Sequence, residues 1–66
     1  MSLKWTDSLE IAIALDEAHP EADPQWVRFT DLMEWVMALE EFDDLQEHCG
    51  EKILEAIQTA WMEERR

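Results

Sequence analysis

Apolar residues recur at helical spacing in three stretches of this chain, and polar residues of the kind that start or end helices separate them. In the first stretch Ile11, Leu15 and Ala18 fall on one face, flanked by Ala12 and Ala14, which predicts a helix from Asp7 to about Ala18. Thr6 or Asp7 supplies the N-cap, and Glu10 is the acid expected near the third helical position. Pro20 forbids continuation, because proline lacks an N–H and crowds the residue before it. Leu9 and Ile13 stand apart from this face. Four residues apart among Glu10, Asp16 and Glu17, they form an apolar pair on the opposite side of the helix. Local packing is the simplest account of that pair.

The second stretch places Leu32, Trp35, Val36 and Leu39 on one face, with Thr30, Asp31 and Glu34 as its start signature, and predicts a helix from there to about Glu41. Met33 and Met37 sit at the edge of its stripe and read as core filler in preference to an adaptable contact surface. The third begins near Glu51, with Ile53, Ile57, Ala60 and Trp61 on one face, Leu54 beside them, and Arg65 and Arg66 suited to the helix dipole at its end. Between the first two, Asp23 and Pro24 read as an N-cap with proline at the first helical position, giving one short turn through Trp26. Val27 to Phe29 and Leu3 to Trp5 are the two short extended candidates, and they predict a small antiparallel bridge. Asp43 to Gly50 reads as a polar loop containing the chain's one glycine. The fold class that results is mainly α, three main helices with a minimal β element, in a single domain over residues 1–66.

Charge changes the picture next. Seventeen Asp and Glu against five Lys and Arg give a formal net charge of -12 on 66 residues. That excess repels phosphate backbones and anionic membrane surfaces, and it draws in cations and basic protein patches. With 47% hydrophobic residues and four Trp the chain still has the means to fold. A core of this size typically nets only about 3–5 kcal/mol, which argues against a second domain or a deep multi-part active site. The single Cys49 allows no internal disulfide and suits a reducing compartment. No signal-like run precedes the first acid and no 18 apolar residues run together, so the expectation is a cytoplasmic protein that does not span a membrane.

Little in the chain supports catalysis. One glycine cannot build a phosphate cradle, and no nucleophile and base have a scaffold to exclude water around them. His19, His48 and Cys49 are too few for a structural zinc site, and Cys49 reads as a free loop thiol whose pKa the nearby acids raise. The densest acidic run is Glu40, Glu41, Asp43, Asp44 and Glu47, with Glu51 just beyond. Carboxylate oxygens suit hard cations such as Fe2+, Mn2+, Mg2+ or Ca2+, but the run lacks the order of a calcium loop and implies a weak, exposed site. A merely solvated acidic surface is the bland alternative. Electrostatic docking on a basic groove of a larger protein uses more of the sequence.

Several blocks together are more specific than any of these patterns. They are Leu3-Lys4-Trp5-Thr6-Asp7, Asp23-Pro24, Val27 to Leu32, Trp35, Leu39, Phe42-Asp43-Asp44, Glu51 to Ile57, and Trp61. In order and spacing they resemble the IscX family of small acidic iron-sulfur cluster assembly proteins, and the resemblance covers essentially the whole chain. It implies a modified winged-helix fold and no enzymatic activity. It also implies binding to the cysteine desulfurase IscS, in competition with frataxin or ferredoxin, and weak, exchangeable binding of Fe2+ by surface acids. The acids kept at motif positions are Asp7, Glu10, Asp23, Asp31, Glu40, Asp43, Asp44, Glu51 and Glu55. Of these, Glu40, Asp43, Asp44 and Glu51 are the candidate metal ligands. Asp7, Glu10, Asp31, Asp43, Asp44 and Glu55 are the candidate partner-binding residues.

The chain departs from the family pattern at Leu45 to Gly50, where Glu47, His48 and Cys49 inherit no role, and at Leu9 and Ile13, where more polar residues are expected. The second apolar strip could serve self-association, and the oligomeric state is left open. A DNA-binding winged helix is the alternative function that such a fold suggests. It requires Lys and Arg on the recognition helix, whereas these helices carry Glu34, Glu51 and Glu55. A small enzyme ranks last, for want of a positioned base and nucleophile.

Overall fold

The computed structural model describes residues 2–65. Three helices, α1 (Ser8–Ala18), α2 (Phe29–Met37) and α3 (Glu51–Glu64), are joined by turns, with a single 3-10 turn at Gln46–His48 before α3. The longest helix, α3, packs chiefly on α1, and α2 leans on both. Their buried faces meet in one core of Trp5, Ile11, Ala12, Leu15, Leu32, Val36, Leu54, Ile57 and Trp61. Each large residue withdrawn there contributes roughly 1.5–3 kcal/mol by leaving water, the main force available to so short a chain.

The expected mainly helical class stands, and the first and third helices begin within a residue of their predicted starts. In α1 the buried stripe is Ile11, Ala12 and Leu15, while Ala18, expected on the core face, is exposed in the last turn as the chain turns away. In α3 the buried residues are Leu54, Ile57 and Trp61, with Ile53 and Ala60 half-buried at the edges. Arg65 caps that helix, and Arg66 lies outside the described residues.

Two expectations are corrected. α2 starts at Phe29, with the extended Arg28 as N-cap, and Leu32 N–H donates to Arg28 C=O at 2.8 Å. The Thr30-Asp31 start signature is therefore inside the first turn, because placing Phe29 on the helix packs its ring against the core. The helix also ends early, at Met37 rather than Glu41, and tight turns carry the chain on: Leu39 N–H donates to Val36 C=O and Phe42 N–H to Leu39 C=O, each at 3.1 Å. Met33 packs on the core as filler, but Met37 is exposed. The antiparallel bridge between Leu3–Trp5 and Val27–Phe29 does not form. Leu3 pairs in parallel with Phe42 instead, its N–H donating to Glu41 C=O at 2.7 Å and its C=O accepting from Asp43 N–H at 2.9 Å. With Leu3's ladder groups used there and Phe29 spent in a helix, the other pairing has no partners left.

The predicted turn at Asp23 is present. Asp23 accepts the Gln25 N–H on its side chain and the Trp26 N–H on its carbonyl, each at 3.0 Å. Gln58 of α3 pins this corner by donating to Pro24 C=O at 2.7 Å, while the Trp26 ring is left 75% exposed.

Candidate functional site

Fourteen of the seventeen carboxylates are exposed, and the remaining three, Asp7, Asp16 and Asp44, are half-buried. All three of the half-buried acids accept hydrogen bonds that hold the fold. Asp7 occupies the N-cap position of α1, yet its side chain turns back to accept the Lys4 N–H at 2.9 Å instead of capping the helix.

Asp44 closes the Leu3–Phe42 bridge. Its Oδ2 accepts the Trp5 N–H at 3.1 Å, and its Oδ1 accepts the Leu45 N–H and the His48 Nδ1–H, each at 2.7 Å. The Trp5 amide bond is the main reason its carboxyl is lowered from 3.8 to about 2, followed by the His48 contact. Beneath it the Trp5 indole donates to Leu45 C=O at 2.7 Å and meets Phe42 edge-on with ring centroids 4.6 Å apart. The adjacent Asp43 faces outward and pairs loosely with Lys4 at 3.6 Å.

Asp16 does the same work at the other end of α1. It accepts from Arg65 Nε at 2.6 Å and from the Trp61 indole at 3.3 Å, and the guanidinium beside it holds its carboxyl below the usual range. The other guanidinium nitrogens donate to the carbonyls of His19, at 2.8 Å, and Ala22. Arg65, expected to suit a helix dipole, is thus a tertiary clasp across the end of α1. Trp35, predicted in the core, is half-buried and stacks on His19 with centroids 4.0 Å apart.

The sequence-predicted site residues divide accordingly. Asp7 and Asp44 are committed to structure. Glu10, Asp31, Glu40, Asp43, Glu51 and Glu55 are exposed, Asp31 in the first turn of α2 and Glu51 in that of α3. Among the described residues no three His, Cys, Asp or Glu side chains converge closely enough to hold a metal ion. A donor set of that kind can attract a hard cation only weakly and from exposed carboxylates. The Cys49 thiol is pushed up, as expected, though burial rather than the surrounding acids is the cause.

The structure brings Glu10 and Glu41 together with a third acid, Glu17, around an open groove of about 420 Å3 whose other lining residues are Leu3, Ile13 and Ala14. A shallower depression continues it past Ala18 to Leu39 and Glu40. Neither Glu17 nor Glu41 stood out among the candidate partner-binding residues. The signal that could have found them is the misfit pair Leu9 and Ile13, which are 55% and 40% exposed. No helix among the described residues is long and apolar enough to cross a membrane.

A family model described as iron-sulphur cluster assembly matches residues 3–66. The chain is also similar to a curated protein of Pseudomonas aeruginosa, uncharacterized protein PA3808, with 65% identity over 65 residues, 98% of either chain.

Proposed function

This chain belongs to the iron-sulphur cluster assembly family, and from that premise we propose that it is a non-enzymatic adaptor and regulator of cluster assembly, of the IscX kind. In this reading it keeps the winged-helix ancestry that the resemblance implies, works in the cytoplasm and docks on the cysteine desulfurase IscS in competition with frataxin or ferredoxin. Its exposed acids meet a basic face of the enzyme. The observation that carries the reading is the division of the carboxylates: the half-buried ones hold the fold, and of the fourteen on the surface only Asp23 and Asp43 have a partner within the chain, which leaves twelve for which the architecture has no evident use. Like charges crowded on so small a body disfavour its compact state, and a basic partner relieves that repulsion.

Ferrous iron is cargo in this reading, held weakly and exchangeably by exposed acids such as Glu40, Asp43 and Glu51. Asp44 contributes field more than ligation, because both of its oxygens already accept hydrogen bonds. A DNA-binding role would require the chain to present cations to phosphates. Of the four described bases, Lys4 and Arg65 are already paired with Asp43 and Asp16.

An anaerobic NMR titration with purified cysteine desulfurase, with and without Fe2+, tests both halves. Affinity is expected to fall steeply with salt and to weaken several-fold in Asp43→Lys, and Fe2+ alone is expected to broaden the amides around Glu40, Asp43 and Glu51. Binding indifferent to salt and to Asp43→Lys removes the docking half, and unbroadened amides remove the iron half.

A further inference from the structure

We propose that the groove between α1 and the Leu3–Phe42 bridge is a docking site for an apolar side chain carried between lysines and arginines on a segment of a partner protein. The proposal rests on the docking reading above and deepens it, by naming where the contact is anchored and what chemistry the partner must offer. Two properties of the groove select that occupant. Its apolar part is made by Leu3, Ile13 and Ala14, and its volume of about 420 Å3 falls within the range of about 300–1,000 Å3 in which bound groups are usually held. Its charged lining is Glu10, Glu17 and Glu41, all exposed, with no Lys or Arg among the lining residues.

Core packing accounts for Leu3, which is half-buried against the core, but not for Ile13. The inward stripe of α1 is complete without it, since Ile11, Ala12 and Leu15 are fully buried while Ile13 is 40% exposed. Leu9, one turn earlier and 55% exposed, extends the same strip. A solvated acidic surface has no use for two large aliphatic side chains among its glutamates.

Other occupants fit only one of the two properties. A second copy of the chain would bring its own Glu10, Glu17 and Glu41 against these three, a juxtaposition of like charges that costs association dearly. A cation would be served by the glutamates but not by an apolar wall, and no three acids converge to hold it among the described residues. An apolar anchor flanked by bases answers both. The bases set encounter and orientation, and the anchor, once desolvated, slows departure.

The test uses the intact protein and synthetic peptides, read by NMR. One peptide carries a central Leu-Phe pair flanked by Lys and Arg, a second of equal charge has Ser in place of that pair, and a third keeps the pair but flanks it with Glu. The first is expected to shift the amides of Glu10, Ile13, Ala14, Glu17 and Glu41 and to bind about tenfold more tightly than the second, the gain that burying one large aliphatic group provides. The third is expected not to bind. Ile13→Ser should abolish the difference between the first two, and Glu17→Lys should weaken both, with the thermal melt of each variant confirming that it folds. If Ile13→Ser does not fold, Glu17→Lys and the shift map decide the matter. Equal affinity of the two basic peptides, or shifts located elsewhere, overturns the groove. So does a dimer seen by sedimentation that Ile13→Ser or Glu17→Lys alters, which would make a second copy the occupant. Failure of the desulfurase to bind while the anchored peptide does would remove only the partner named earlier. Desulfurase binding with equal peptide affinities would remove only the groove.

Discussion

The two ends of α1 are secured by the same parts in different electrical arrangements. At one end Trp5 is buried and gives its indole N–H to Leu45 C=O, while Asp44 is held by the backbone amides of Trp5 and Leu45 and by His48. At the other Trp61 is buried and gives its indole N–H to Asp16, which is held by the Arg65 guanidinium. The first carboxylate is stabilised mainly by fixed dipoles and the second mainly by a full countercharge. The difference teaches that an acid in a very acidic protein need not be neutralised to be structural. Amides already ordered by the fold, with help from His48, hold Asp44 ionised without using one of the chain's few lysines or arginines.

The strongest way to break the comparison is to remove either tryptophan. Trp5→Ala or Trp61→Ala is expected to cost about 3–5 kcal/mol. That is comparable with the whole stability of a domain this small, about 3–5 kcal/mol, so circular dichroism at 25 °C should show either variant largely unfolded. The ends should be indistinguishable in this respect.

Acid separates them next. Asp44 titrates at about 2 in the folded protein against an ordinary 3.8, so on acidification the unfolded chain takes up that proton first. The stabilisation is complete above 3.8 and is lost as pH falls through about 2. Asp44→Asn should therefore lower the melting temperature at neutral pH and flatten its decline over that interval. A residual slope should remain from Asp16, whose carboxyl is also lowered. An unchanged pH profile in Asp44→Asn would mean that the amides do not hold the charge as described. The smallest effect is expected from salt. Arg65→Gln should lower the melting temperature by about a few degrees in dilute buffer and by less in molar salt, whereas the deficit of Asp44→Asn should change little with salt.

Much of this fold is legible in the sequence because local rules agree with the tertiary outcome. In α1 and α3 the apolar stripe and Pro20 point to the same limits that packing imposes. In α2 they disagree. The Thr30-Asp31 signature marks a start two residues late, because burial of Phe29 outweighs side-chain capping. The Leu3–Phe42 bridge was invisible because its partners are 39 residues apart and nothing in either segment names the other. The candidate site is legible only in outline. Asp43 and Asp44 are adjacent and chemically identical in the sequence, yet one faces solvent and the other is enclosed by amides, a distinction made by the path of the chain around Trp5. Leu9 and Ile13 were recognisable as misfits, but the glutamates that surround the groove come from two segments whose neighbourhood the sequence does not state.

The long reach of these clasps bears on the order of events when the chain folds. Helical hydrogen bonds join residues four apart, whereas Trp5 meets Asp44 and Leu45 across 39 and 40 residues, and Asp16 meets Trp61 and Arg65 across 45 and 49. Contacts of such separation form only after large loops have closed, so they are expected late in folding and early in unfolding. The groove has α1 on one wall and Leu3 and Glu41 on the other. It therefore exists only once those loops have closed. A newly made or partly opened chain would display its acidic charge without the apolar seat, and the groove would mark the finished molecule.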